Sequence, residues 1–111
     1  MAYDEDLAHR IRGLLATESG VTERRMFGGL AFLIDGNMSV AASGQGGLMV
    51  RVPPEETEAL VAEPHAGPLE MRGREMQGWL RVDMDGLRTE AGLAPWVARG
   101  VAYARSLPAK G

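Results

Sequence analysis

Three glycine-rich breaks, Gly28-Gly29, Asp35-Gly36-Asn37 and Gly44-Gln45-Gly46-Gly47, cut the stretch from Arg24 to Val52 into four short runs. The runs are Arg24 to Phe27, Leu30 to Ile34, Met38 to Ser43 and Leu48 to Val52. Such runs are strand-length, and turns this short join only antiparallel neighbours, so the segment predicts a meander of hairpins. Asp35-Gly36 supplies the positive φ that a tight hairpin turn requires. Gly28 and Gly29 permit a sharp reversal, or a close approach of two backbones, that a Cβ would resist.

Helical periodicity brackets the meander. Asp4 reads as an N-cap, and Leu7, Ile11, Leu14 and Leu15 follow at amphipathic spacing, predicting a helix from about Asp4 to Glu18 with Gly20 past its end. Pro53-Pro54-Glu55-Glu56 reads as a second helix start, with Leu60 and Val61 facing inward and Pro64 as its stop. Pro68 to Met76 is polar and glycine-punctuated. Gln77 to Val82 reads as a further strand, paired with a short one near Leu69-Met71. Leu93, Trp96, Val97, Gly100, Val101, Ala104 and Leu107 then hold one face of a last helix, which Pro108 stops. Gly100 on that stripe lets the helix approach its neighbour closely. The expected fold is α+β: one antiparallel sheet packed by N-terminal, middle and C-terminal helices in two layers. At 111 residues the chain is expected to make one domain over 1–111.

Composition narrows the chemistry. The chain has no cysteine, which removes thiolate nucleophiles, disulfides and cysteine metal sites. No run approaches the ~18 apolar residues of a membrane span. The start, Met1-Ala2-Tyr3-Asp4-Glu5-Asp6, is acidic where a signal peptide is basic and then apolar, so a cytoplasmic protein is expected. His9 and His65 do not pair at ligand spacing. The acids Asp4-Glu5-Asp6 and Glu55-Glu56-Thr57-Glu58 fall at helix starts, where the helix dipole accounts for them. Gly44-Gln45-Gly46-Gly47 leads into a strand, whereas phosphate loops lead into a helix. No serine lies in a Gly-x-Ser-x-Gly elbow. These readings give no catalytic residue, no metal and no cofactor, and the expectation is a protein that is not an enzyme.

Two features point to contact rather than chemistry. Arg24, Arg25, Arg51, Arg72, Arg74 and Arg81 lie in or beside strands; gathered on one surface they would mark a nucleic-acid or acidic-partner footprint, whereas dispersed they are ordinary solvated residues. The net charge of −3 opposes general attraction to nucleic acid. Strand alternation supplies the second feature. If Phe32, Val40, Val50 and Leu80 face the helices, then Leu33, Ala41, Met49 and Trp79 point the other way, on a face that is normally polar. An apolar face of this kind predicts self-association or a protein partner. The candidate interface residues are Arg24, Arg25, Met26, Phe27, Leu33, Met49, Arg51, Trp79 and Arg81.

Several segments together resemble the TfoX N-terminal domain family, also called TfoX/Sxy. They are Arg25-Met26-Phe27-Gly28-Gly29 after the first helix, Asp35-Gly36-Asn37-Met38 in the hairpin, and Leu48-Met49-Val50-Arg51. Met71-x-Gly73-Arg74-x-Met76-x-Gly78-Trp79 follows, and then Trp96-Val97 with Ala102-Tyr103-Ala104-Arg105-Ser106-Leu107-Pro108. The resemblance covers almost the whole chain. It implies a secretion-chaperone-like α+β fold and a regulatory, non-enzymatic role, since the named members regulate natural competence together with a cyclic-AMP receptor protein. Transcription machinery is thus an implied partner. Those members also carry a C-terminal, DNA-binding-like helical domain that residues 1–111 do not include, so direct promoter recognition does not carry over. The resulting expectation is a homodimerising or partner-binding module. Its alternatives are an accessory nucleic-acid-binding factor using the arginines, and a small enzyme of unassigned chemistry.

Overall fold

In the computed structural model the described residues are 3–26 and 28–110. They form helices α1 (Glu5–Leu14), α2 (Thr57–Leu60) and α3 (Glu90–Ser106). The strands are β1 (Val21–Met26), β2 (Gly29–Ile34), β3 (Asn37–Ala42), β4 (Leu48–Arg51), β5 (Ala66–Met71) and β6 (Arg74–Val82). All six strands join one antiparallel sheet in the order β1-β2-β3-β4-β6-β5. The architecture is α+β in two layers, as the pattern of runs and turns implies.

The meander follows the glycine breaks. Ile34 pairs with Asn37 across a two-residue loop, and Asp35 and Gly36 both have positive φ, 51° and 85°. That is the geometry whose twist matches paired strands. Gly28, with φ 76°, lies in the β1–β2 turn, and Gly29 opens β2. A Cβ on Gly29 would collide with the Ala42 carbonyl oxygen, so this glycine serves a close strand approach. Phe27 lies outside the described residues.

Several boundaries depart from the pattern. Helix α1 ends at Leu14 and not near Glu18, because the Ala16 and Glu18 N–H groups donate to the Gly13 and Leu15 carbonyls three residues back, tightening the chain towards Gly20. The middle helix is one short 3-10 turn, Pro54–Glu56, plus the four residues of α2. Pro64 and the turns before it leave no room for more. The polar stretch before Gln77 is a full hairpin: Met71 pairs with Arg74 across Arg72-Gly73, both at positive φ. The expected pairing of Gln77 to Val82 with a strand near Leu69-Met71 is present, but both strands are longer, because Arg72 is a weak turn signal: a left-handed backbone is costly for such a side chain.

One face of the sheet meets the helices. Phe32, Val40, Val50, Leu80 and Val82 pack with Leu7 and Ile11 of α1 and with Leu93, Trp96 and Val97 of α3, all buried. Asp4 caps α1 by accepting from the Leu7 N–H at 2.9 Å, and Thr89 caps α3 by accepting from Gly92. Phe32 pairs with Val40 and Leu33 with Met38, which leaves Ser39 as the extra residue of a bulge. Its hydroxyl donates to the Phe32 carbonyl at 2.8 Å. Gly100 lies on the buried stripe of α3, and a Cβ there would stand 2.5 Å from the Ser39 carbonyl oxygen. The glycine is the condition for α3 to sit this close to β3.

Candidate interaction face

The other face of the sheet also carries a cluster. Ala31, Leu33 and Ala41 are 1%, 4% and 5% exposed, and among the described residues the hydrophobic side chains packed on them come from strands. Half-buried Met26, Met38 and Met49 cover them. The register explains the assembly. Arg24 lies opposite Ala31, Ala31 opposite Ala41, Ala41 opposite Met49, and Met49 opposite Arg81, so one row crosses five strands with an arginine at each end. Thr22, Leu33 and Met38 form part of the next row, and Arg51 pairs with Trp79.

Simple alternation places Leu33, Ala41, Met49 and Trp79 on this face; Leu33, Ala41 and Met49 join the cluster, whereas Trp79, opposite Arg51, borders a hollow with Thr57 and Glu58 of α2 instead. It misses Met38, which two-residue parity from Val40 assigns to the helix side. The Ser39 bulge shifts the phase by one residue and brings Met38 round beside Ala41. Nothing in the local sequence flags the bulge except a serine, small and polar, inside an apolar strand. Ala31 is legible in retrospect, two residues before Leu33.

The arginines are each placed differently. Arg24 points outward, whereas Arg25 lies opposite Leu30 and so belongs to the helix side; both are exposed. The Arg81 guanidinium donates to the Gly46 carbonyl at 2.6 Å and approaches the Gln45 carbonyl at 3.4 Å, tying β6 to the β3–β4 turn. Arg51 stacks between two rings, 6.0 Å from the centroid of Trp79 and 5.5 Å from that of Tyr103 on α3. Cation–π contacts of this kind contribute about 0.5–1 kcal/mol where solvent reaches them. Arg72 and Arg74 lie at the far hairpin, seven residues or ~23 Å along β6 from Arg81. The sheet thus disperses the six arginines: Arg24, Arg51 and Arg81 hold outward register positions, and the head of Arg51 reaches round to Tyr103 on α3.

Elsewhere the polar geometry is that of staples. His65 Nδ1 lies 3.2 Å from Asp83 Oδ1, and that oxygen also accepts from the Gly86 N–H, closing the loop before the last helix. Arg12 donates two hydrogen bonds to Glu23, at 2.6 and 2.9 Å, joining α1 to β1. The hydrogen bond from Arg12, with its charge, holds the Glu23 carboxyl below its ordinary pKa. A hollow of about 250 Å³ between α3 and the end of β4 is lined by Val52, Pro53, Leu60, Ala102 and Tyr103. Ser106 also borders it, and its hydroxyl is taken up by the Tyr103 carbonyl at 2.6 Å. Among the described residues no group of three or more His, Cys, Asp or Glu side chains is placed to hold a metal ion. No helix of the described residues is long and apolar enough to cross a membrane.

The fold and this face define a small α+β domain whose distinctive surface is a sheet face rather than a cleft. The family model for the TfoX N-terminal domain matches residues 13–104, nearly the whole chain, and the protein belongs to that family. No curated protein and no solved structure matches the chain.

Proposed function

We propose that the chain is a non-catalytic interaction module that binds a protein surface through the outward face of its sheet. The observation that carries this is the second apolar cluster, Ala31, Leu33 and Ala41 under three methionines, on the side that no helix of the main core covers. The outer face of a two-layer sheet is ordinarily polar, so an apolar cluster there, covered by its own half-buried methionines, is explained by what those methionines contact. Methionine suits the task, because its unbranched, polarisable side chain repacks against differently shaped partners. Family resemblance supports a regulatory setting, with transcription machinery as the kind of system served. A second copy and a foreign chain are the two occupants that this reading admits.

Site-specific photo-crosslinking in the native host tests it. A crosslinking residue in place of Met49 should give discrete adducts, whereas one in place of Ala91, exposed at the start of α3, should give none. Adducts only from the helix side, or from neither position, would refute the reading.

A further inference from the structure

Resting on that reading, we infer that the outward face accepts an acidic amphipathic segment of a different protein. Charge is what separates the two occupants. The outward positions of β1 to β4, and of β6 from Trp79 to Arg81, hold Arg24, Arg51 and Arg81 and no carboxylate, and the next acid along, Asp83, shares a hollow with Arg81 at the margin. None of the ion pairs among the described residues involves these three arginines. In a two-fold dimer the same patch meets itself, so arginines would be brought towards arginines, and the acid beside Arg81, Asp83, is already engaged by His65 and the Gly86 N–H. A segment carrying apolar anchors and carboxylates satisfies both halves of the surface.

The register gives the dimensions. Four strand spacings separate Arg24 from Arg81 along one row, ~19 Å at ~4.8 Å each. A helix covers that distance in about thirteen residues. The floor between the two arginines is Ala31 and Ala41, low because the side chains are small, with Met49 beside Arg81. The matching ligand therefore has apolar residues at its centre and Asp or Glu near both ends. The same charge map disfavours nucleic acid. The chain as a whole carries a net charge of −3, and a polyanion longer than this small face would meet that negative charge.

A displayed library of random peptides, offered to the full folded chain and to the Arg24→Glu variant, tests the proposal. Arg24 is an exposed side chain on an edge strand, so the variant should keep the fold, which circular dichroism checks. Peptides enriched by the wild-type chain should carry acids flanking an apolar centre. Their affinity should fall at least about tenfold with Arg24→Glu, and should fall again as salt rises from about 50 to about 200 mM. Enrichment without acidic bias, enrichment of basic peptides, or no enrichment overturns the proposal. So does tighter binding of single-stranded DNA than of the selected peptides at the same salt. A chain that sediments as a dimer, and becomes monomeric with Met49→Asp, would leave the interaction module standing and assign the face to a second copy. If the selected peptides shift amide resonances only on the helix side, both readings fall.

Discussion

Replacing glycine by alanine should have opposite effects in the two long helices, and the difference follows from what each new Cβ would meet. Gly13 lies in α1, exposed, with nothing within 4 Å of an added Cβ. Alanine there gains helix propensity and should stabilise the protein by about 0.5–1 kcal/mol. Gly100 has the same propensity to gain, but its Cβ would stand 2.5 Å from the Ser39 carbonyl oxygen and 2.7 Å from Val40 Cγ1. Ordinary contacts are ~3.5 Å or longer, so α3 must retreat by most of an ångström. The obstacle cannot rotate away, because the Ser39 carbonyl belongs to the β3 bulge and its hydroxyl is held by Phe32. Overpacking of this kind costs about 1–3 kcal/mol, which exceeds the propensity gain. Gly100→Ala should therefore lower stability by roughly 1–2 kcal/mol, or about 4–8 °C in melting temperature for a domain of this size. Urea unfolding of both variants, fitted with a common m-value, measures the pair. Equal stabilisation by both substitutions would refute the close approach of α3 to β3.

Two further outcomes follow from particular hydrogen bonds. Thr57 Oγ1 is buried and accepts from the Gly78 N–H at 2.8 Å, where β6 breaks its regular path with φ 86° at Gly78. Thr57→Val keeps the shape and orphans that N–H, so urea unfolding should show a loss of about 1–3 kcal/mol, with Thr57→Ser close to wild type. The Arg12–Glu23 pair sets a pH dependence, because the folded carboxyl titrates below its unfolded value. Its contribution is fully present above the ordinary carboxylate range and is lost as pH falls through the depressed folded value. Glu23→Gln should flatten that part of the stability–pH curve, and added salt should shrink the difference, since the pair is partly exposed. An unchanged curve would show that the pair contributes nothing in solution.

What the sequence discloses and what it conceals divide along a physical line. Turns that need glycine or Asp-Gly are written locally, so the β1 to β4 meander is legible, as is α3 from its stripe. The pairing of a strand over Gln77 to Val82 with one near Leu69-Met71 is legible. The Arg72-Gly73 turn, however, places a bulky side chain at positive φ, which strand pairing sustains and local preference does not, so the turn and the full length of the β5–β6 hairpin are concealed. The outward face shows the same division residue by residue. Trp79 borders a hollow beside α2, whereas Leu33, Ala41 and Met49 follow from two-residue parity. Met38 does not, because its side depends on the single extra residue at Ser39. Long-range partners are equally silent: nothing near Arg51 announces Tyr103, and nothing near Arg81 announces the Gly46 carbonyl.

The two faces of the sheet make different demands on their side chains, and the residues chosen reflect this. The helix side is filled with branched Leu, Ile and Val and with Phe32, whose limited rotamers fix one packing. The outward side sets two alanines and one leucine beneath three methionines, a combination that fixes much less. If the outer layer served only to shield the sheet, polar side chains would serve as well and would be more soluble. Nor does the Ser39 bulge favour shielding, since it turns a methionine outward that regular alternation would bury. A flexible apolar layer with arginines at its margins is instead the arrangement expected where a partner supplies the missing half of the packing. In that view α3, seated closely through Gly100, makes the sheet rigid from behind, and the methionines supply the adaptability in front.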